Sequence, residues 1–98
     1  MIKVSVMYEN KPGARFDHDY YRDTHVPLAV KTWGLASAEV DKGVGGPYVA
    51  AVHFLFESAD AMNAALADEG TAAVINDVAN YTTIVPVQQI SEITEVGA

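Results

Sequence analysis

The feature that most constrains the fold is an apolar run of nine residues, Tyr48–Phe56, with the sequence YVAAVHFLF. Val, Phe and Tyr favour extended backbone, so the run predicts a β-strand. Alternate side chains of a strand point to opposite faces of the sheet, and here both faces are apolar apart from His53, which shares its face with Val49 and Leu55. Such a strand is typical of the centre of a sheet that is covered on both sides.

Three weaker patterns predict the other strands. Apolar and polar side chains alternate through residues 2–8, which is typical of a half-buried strand. Residues 35–42 carry less apolar bulk and predict a second, weaker strand. A last strand is expected to begin near Thr82, in TTIVPVQQI. Because Pro86 within it cannot donate a backbone hydrogen bond, we expect this strand at an edge of the sheet.

Two helical regions separate these strands. The first is expected to end near Trp33, where Gly34 is suited to the left-handed position that follows a helix. The second is expected to begin after the capping residue Ser58 and to end at Gly70. Thr71 can then cap a further short helix that continues to residue 81.

The order strand, helix, strand, strand, helix, strand predicts an α+β fold of the ferredoxin-like βαββαβ type, with an antiparallel sheet and both helical regions on one face. All 98 residues are expected to form this single domain. The other face of the sheet is left uncovered, although its central strand is apolar on both sides. We therefore expect a homodimer in which two sheets enclose a barrel-like core.

Composition excludes several classes of function. The net charge is -7 and only 6 residues are Lys or Arg, which argues against binding to nucleic acid or an anionic membrane. The chain has no cysteine, so disulfides, thiolate catalysis and iron–sulfur clusters are excluded. No signal peptide, dinucleotide fingerprint or haem-attachment motif is present, and we expect a cytoplasmic protein without a cofactor.

The densest group of polar and aromatic residues lies in the segment 16–28, FDHDYYRDTHVPL. Asp17 can cap a helix here, while Tyr20, Tyr21 and Leu28 recur at helical spacing. The segment therefore predicts an amphipathic helix. Tyrosines at this spacing often only pack against a core, but their hydroxyl groups can also orient a bound oxygen atom.

A proline interrupts this helix. Pro27 has no N–H group, so the carbonyl group of Asp23 is expected to lose its partner and Val26 to adopt extended backbone. His25 would then lie at a kink, near the negative end of a helix segment. Its imidazole titrates near neutral pH and can act as an acid or a base. Equally, it can donate to the freed carbonyl group and serve the backbone alone.

The motif Phe16-Asp17-His18-Asp19-Tyr20-Tyr21, followed by His25-Val26-Pro27-Leu28, resembles the signature of the EthD family, whose name refers to ethyl tert-butyl ether degradation. The resemblance extends over nearly the whole chain. It implies a dimeric α+β barrel. In the wider superfamily it also implies kinship with cofactor-free monooxygenases, isomerases and cyclases that act on small, largely apolar molecules.

Six residues are the candidate site. We predict catalytic roles for His25, Tyr21 and His53, and contacts with a substrate for Tyr20, Leu28 and Trp33. Trp33 can alternatively belong to the core or to a dimer contact. A metal site of His25, His53 and a carboxylate, from Asp23 or Asp19, is a minor alternative, because no closely spaced pair of ligands supports it. We therefore expect no metal.

These patterns predict a protein that binds a small apolar or aromatic, oxygen-containing metabolite, with His25 as a general acid or base. The predicted reaction is of the isomerase, cyclase or monooxygenase-like class and uses no cofactor. The alternative is a non-catalytic accessory protein that binds a ligand in support of an oxygenase in the degradation of ethers or xenobiotics.

Overall fold

The computed structural model describes residues 1–97. Four strands form one antiparallel sheet in the order β2-β3-β1-β4. They are β1 (Ile2–Glu9), β2 (Glu39–Lys42), β3 (Tyr48–Phe56) and β4 (Val87–Glu92). The predicted ferredoxin-like α+β fold is confirmed, and the apolar run is an inner strand of the sheet.

The register of the sheet decides which side chains meet the helices. Val4, Val6 and Tyr8 of β1 lie beside the even-numbered residues of β3, among them Val52 and Phe54. These even-numbered side chains of β3 are buried from Ala50 onward, and they form the helix-facing side of the core. The odd-numbered residues of β1 and β3 therefore form the opposite, open face of the sheet.

A long helical segment follows β1 and a loop. It consists of α1 (His18–Tyr20), a π-helical turn (Tyr21–His25) and α2 (Val26–Thr32), which continue directly into one another. Asp17 caps its start by accepting a hydrogen bond from the backbone of Tyr20, as predicted. After α2, Gly34 has a φ of 65°, which is the left-handed conformation expected of it.

The predicted break of the helix at Pro27, with extended backbone at Val26, is wrong. Val26 has helical backbone, with φ -64° and ψ -42°, and its N–H group donates to the carbonyl oxygen of Tyr21. The π-helical turn places one extra residue in the helix just before Pro27, where the missing N–H group is tolerated at the start of α2. His25 is consequently the last residue of the π-helical turn, within a continuous helix.

The helices that return the chain to the sheet are α3 (Ala59–Leu66), α4 (Thr71–Asp77) and a 3₁₀ turn (Val78–Asn80). Ser58 caps α3 as predicted. α3 ends earlier than the predicted Gly70, which instead precedes α4 with φ -67°. Thr71 is the first residue of α4, and its hydroxyl group donates to the carbonyl oxygen of Ala65.

Two strand boundaries also differ from the prediction. β2 spans only residues 39–42, and the region from 35 to 38 lacks regular strand structure. β4 begins at Val87, after Pro86, so the proline lies outside the sheet ladder. Thr82 forms an isolated bridge with Phe16 instead. The segment between Thr82 and Pro86 thus leads from the helices to the edge strand.

His53 lies on the open face of the sheet, between β1 and β2. Its Nδ1 atom is 2.8 Å from Ser5 Oγ, and its Nε2 atom is 2.8 Å from Asp41 Oδ2. Ser5 lies directly opposite His53 on β1. Asp41 lies on β2, two residues along the strand from Glu39, which is directly opposite His53. The open face therefore carries a hydrogen-bonded polar chain among apolar residues.

No helix within residues 1–97 is both long and apolar enough to cross a membrane.

Candidate functional site

The site is built around a buried histidine. His25 is 5% exposed, and its Nδ1 atom lies 2.9 Å from Oδ2 of Asp77, the last residue of α4. A carboxylate only accepts hydrogen bonds, so the Nδ1–H group of His25 donates to Asp77. His25 and Asp77 are 52 residues apart in the sequence, and the π-helical turn and α4 meet at this pair.

Three donors hold the carboxylate of Asp77. The hydroxyl group of Tyr20 donates to Oδ1 at 2.7 Å, and the amide group of Asn80 donates to the same atom at 2.9 Å. Burial acts to raise the pKa of Asp77, but the hydrogen bonds from Asn80, Tyr20 and His25 outweigh it and leave the pKa lowered. Asp77 is therefore ionised at neutral pH.

His25 is neutral at the same pH. Burial lowers its pKa, and the hydrogen bond and negative charge of Asp77 only partly oppose this effect. With the proton on Nδ1, the Nε2 atom carries a free lone pair. Within the described part of the chain, no protein group forms a hydrogen bond with Nε2, which is not fully enclosed either. A neutral imidazole with an available Nε2 lone pair can accept a proton and act as a general base.

A cluster of aromatic rings surrounds the histidine. The ring of His25 stacks on Tyr21, with centroids 5.6 Å apart, and its centroid is 4.5 Å from that of Tyr81. The hydroxyl groups of Tyr81 and Tyr8 are 2.6 Å apart. Burial raises the pKa of each of these three tyrosines, so all three remain protonated. They are also the largest side chains that are almost wholly buried.

A cavity of about 360 Å³ opens beside this cluster, between the helix-facing side of the sheet and the helices. This volume lies at the lower end of the range of roughly 300 to 1,000 Å³ for ligand pockets. Its wall is largely apolar and comes from both layers: Val6, Val52, Phe54, Val74 and Val78. The more exposed lining residues, Leu66, Ile75 and Gln88, mark its mouth.

Trp33 forms one side of the cavity and ties the long helical segment to α4. Its Nε1–H group donates to Thr71 Oγ1 at 2.9 Å, and its ring meets Phe54 edge-on at 4.9 Å. The cavity therefore has a rigid wall on the side of α2. Trp33 is also the single tryptophan of the chain, so tryptophan fluorescence reports on the surroundings of this one side chain at the cavity wall.

The six predicted site residues do not all converge. His25 and Trp33 line the cavity, while Tyr21 lies behind His25 and Tyr20 contacts Asp77. Leu28 is half-buried and packs against the core, but it does not line the cavity. His53 lies on the opposite face of the sheet, so the predicted approach of His53 to His25 is wrong.

The alternative metal site is contradicted by the same geometry. His53 and His25 are on opposite sides of the sheet, and Asp23 is exposed and bonded to Arg22 at 2.7 Å. Asp19 is likewise exposed and pairs with Arg22. No cluster of three His, Asp or Glu side chains that could hold a metal ion occurs within residues 1–97.

Sequence reasoning missed Asp77, Tyr81 and Tyr8. A signal for the first two was present, because Val74, Asp77, Val78 and Tyr81 follow the i, i+3, i+4, i+7 spacing of one helix face. A carboxylate in the middle of an apolar stripe is expected to be buried and paired. Tyr8 lacked such a signal, since a tyrosine at the end of a strand is common.

The fold and the site together define a ferredoxin-like α+β protein with an apolar ligand cavity and a buried His–Asp pair. The chain belongs to the EthD family, since the EthD domain matches residues 14–84. Both members of the His–Asp pair, and Tyr81, fall within the matched region.

One solved structure supports this assignment, and a second one shares the fold. An EthD-like protein from Ralstonia eutropha JMP134 is 45% identical, with a TM-score of 0.85 over 93% of this chain and 89% of its own. An EthD family protein from Bacillus halodurans C-125 is 21% identical, with a TM-score of 0.76 over 96% and 99% of the two chains.

A more distant structure shares the fold. A Deinococcus radiodurans protein provisionally named an antibiotic biosynthesis monooxygenase is 16% identical, with a TM-score of 0.68 over 100% of this chain and 97% of its own. No curated protein is significantly similar to the sequence.

Proposed function

We propose that this EthD-family protein binds a small apolar or aromatic, oxygen-containing metabolite in the cavity. In this proposal His25 acts as the acid or base that transfers a proton from and to the bound metabolite. The observation that carries the proposal is the His25–Asp77 pair at the cavity wall. Asp77 fixes the proton on Nδ1 and leaves Nε2 as the basic atom. A base of this kind needs no cofactor for isomerase-like or cyclase-like chemistry.

Asp77 and Tyr20 have positioning roles in this proposal. Neither lines the cavity, and both act through the ring of His25. Trp33 contacts the ligand, and Tyr21 supports the imidazole ring from behind. The family name suggests a catabolic role in the degradation of ethers or related compounds, and we propose the cytoplasm as its location.

A second candidate is a ligand-binding protein without turnover. The observation that favours it is the composition of the cavity wall: among the described residues that line it, none is an Asp, Glu, Lys or Arg. An uncharged wall suits retention of an apolar molecule. In this case His25 would serve as a hydrogen-bonding contact, in support of a partner oxygenase.

One experiment separates the two candidates. We expect 2-naphthol and 2-tetralone to quench the fluorescence of Trp33 and raise the melting temperature, and we expect deuterated product, formed from 2-tetralone in D₂O, to be detected by mass spectrometry. His25→Ala should abolish the product while the folded state survives, since His25 contributes the base. His25→Asn keeps a polar group and should bind the probes without forming product.

The same experiment can contradict the proposal. Binding with no product from the wild type, and with affinity retained in His25→Asn, would establish the ligand-binding candidate for these probes. A His25→Ala protein that turns the probe over at the wild-type rate would exclude His25 as the base. Circular dichroism checks that the variants are folded.

We propose further that two copies pair through the open face of the sheet. Leu55 and Val87 are 42% and 40% exposed on this face, beside the half-buried Met7 and Val49. These apolar side chains lie on both sides of the polar row through His53 and Ser5, and exposed apolar surface of this kind is costly to leave in water. The hydrogen-bonded chain through His53 would then lie within the interface and fix how the copies align.

Replacing Leu55 with Asp should therefore weaken dimerisation by at least about 100-fold, because an unpaired carboxylate would enter the interface. Size-exclusion chromatography with light scattering measures the effect. Val44→Asp is the matched control, since Val44 is fully exposed in the loop between β2 and β3 and should leave the dimer intact. A wild-type monomer at micromolar concentration would refute the dimer.

A further inference from the structure

The three buried tyrosines have more hydroxyl donors than there are hydrogen bonds among them. Each hydroxyl group of Tyr8, Tyr21 and Tyr81 can donate one hydrogen bond. Only one hydrogen bond, between Tyr8 and Tyr81, joins them, and Tyr21 Oη has no partner among residues 1–97. Buried polar groups are usually paired, and of the three only Tyr8 lines the cavity, so its spare hydroxyl proton points to an oxygen atom that arrives from outside the protein.

Tyr8 is the member of the cluster that reaches the cavity. It lines the cavity together with His25, whereas Tyr21 and Tyr81 lie behind them. Tyr81 Oη has no protein acceptor other than Tyr8 in the described chain. Donation from Tyr81 to Tyr8 gives the O–H of Tyr81 its acceptor and leaves the O–H of Tyr8 free to donate to a ligand.

The tyrosine cluster lies next to His25, the proposed base. The ring of Tyr81 contacts both His25 and Tyr8, with centroid distances of 4.5 Å and 6.0 Å. The cavity is thus lined by the residue with the proton acceptor, His25, and by a tyrosine that can donate, Tyr8, and both contact the ring of Tyr81. The uncharged wall elsewhere favours a neutral ligand.

We propose that the hydroxyl group of Tyr8, backed by Tyr81, binds the carbonyl oxygen of the substrate, and that the substrate class is a neutral, largely apolar ketone with a C–H bond next to the carbonyl group. The inference rests on the proposed function, because it assigns the atom on which His25 acts. It makes Tyr8 a catalytic residue and Tyr81 a positioning residue.

The chemical step needs no further reactant. His25 Nε2 takes the proton from the carbon next to the carbonyl group, and the electron pair of that C–H bond forms a C=C bond. The π electrons of the carbonyl group move to its oxygen, which becomes an enolate oxygen held by the O–H of Tyr8. The proton returns from His25 to the same or another carbon, which gives exchange or isomerisation.

Exchange of deuterium from D₂O into 2-tetralone, followed by NMR, tests the inference. We expect Tyr8→Phe to slow the enzymatic exchange by about 10²-fold, as for removal of one donor to a developing oxyanion. The dissociation constant for 2-tetralone, measured through Trp33 fluorescence, should rise by about 3- to 10-fold for the loss of a neutral hydrogen bond. The constant for tetralin, which lacks the oxygen atom, should not change.

Two further variants separate a chemical role from a structural one. Tyr48→Phe removes the hydroxyl group of an exposed tyrosine outside the cavity and should leave all three measurements unchanged. Tyr81→Phe keeps the hydroxyl group of Tyr8 and should reduce exchange less than Tyr8→Phe. Loss of affinity for tetralin as well as tetralone in Tyr8→Phe would indicate a damaged cavity and overturn the inference.

Failure of the inference differs from failure of the proposed function. If His25→Ala abolishes exchange but Tyr8→Phe exchanges and binds 2-tetralone like the wild type, only the assignment of Tyr8 is overturned. If the wild type neither binds 2-tetralone nor accelerates its exchange, the ketone class is excluded. Product formation from other probes then still tests His25.

Discussion

Replacement of Asp77 with Asn should lower the rate of proton exchange on 2-tetralone by about 10²- to 10⁴-fold, the range typical of general acid–base catalysis. Asp77 accepts the Nδ1–H of His25 at 2.9 Å. An asparagine can turn its NH₂ group toward Nδ1, which would move the imidazole proton to Nε2. The basic lone pair would then face away from the ligand, although the size of the side chain is unchanged.

The pH dependence of this variant has a defined direction. Burial lowers the pKa of His25, and the hydrogen bond and charge of Asp77 act to raise it. Removing the charge should lower the pKa further. Activity that needs neutral His25 falls as the pH drops through this pKa, so the acidic limb of the rate profile should move to lower pH in Asp77→Asn.

Stability follows from the same shift. The pKa of His25 in the folded protein lies below the ordinary value of about 6.5, so the unfolded chain binds the proton more readily. The free energy of unfolding should therefore decrease as the pH falls below about 6.5. His25→Gln should lose this part of the pH dependence, which urea unfolding at several pH values measures.

Asp23→Asn is the matched control for Asp77→Asn. Asp23 lies on the same helical segment as His25, but it is exposed and pairs with Arg22. Its replacement should leave exchange unchanged. ¹⁵N NMR of the imidazole reports directly which nitrogen carries the proton, and an unchanged tautomer together with an unchanged rate in Asp77→Asn would contradict the assigned role.

Phe54→Ala should reduce the free energy of unfolding by about 3 to 5 kcal/mol, the range measured for large-to-small substitutions of buried aromatic residues. Phe54 is 2% exposed, and its ring meets Trp33 edge-on at 4.9 Å. The substitution removes buried apolar surface and enlarges the cavity. For a domain with about 5 to 15 kcal/mol of total stability, this is a major loss.

Thermal and urea unfolding measure this loss, and Trp33 fluorescence follows the local packing. Val44→Ala is the control, since Val44 is fully exposed and its truncation should change the stability by less than about 0.5 kcal/mol. A loss below about 1 kcal/mol in Phe54→Ala would mean that the cavity wall collapses to fill the space.

The long helical segment shows how far local patterns reach. Its capping residue Asp17 and its closing residue Gly34 were correctly predicted, because both depend on backbone groups within a few residues. The effect of Pro27 on the helix was not correctly predicted. A proline can be accommodated by a kink or by a π-helical turn, and the packing of Tyr21 and His25 in the core selects the turn.

The two histidines after residue 20 show the same division. Both were placed in one site, because an imidazole can act as an acid or a base and a histidine on a strand could approach His25 across a cleft. The alternation of side chains along β3 predicted that His53 shares a face with Val49 and Leu55. The sequence did not predict which of the two faces the helices cover. The structure covers the even-numbered face, so His53 bonds Ser5 and Asp41 while His25 meets the cavity.

Local patterns in the sequence were enough to predict the α+β topology, the EthD-type motif and the leading place of His25, because periodicity, caps and turns act over a few residues. The partners of His25 depend on contacts between distant segments. Asp77 is 52 residues from His25, and Tyr81 is 73 residues from Tyr8. Contacts over such separations depend on how the helices pack on the sheet, and this packing gives His25 a fixed tautomer and a cavity.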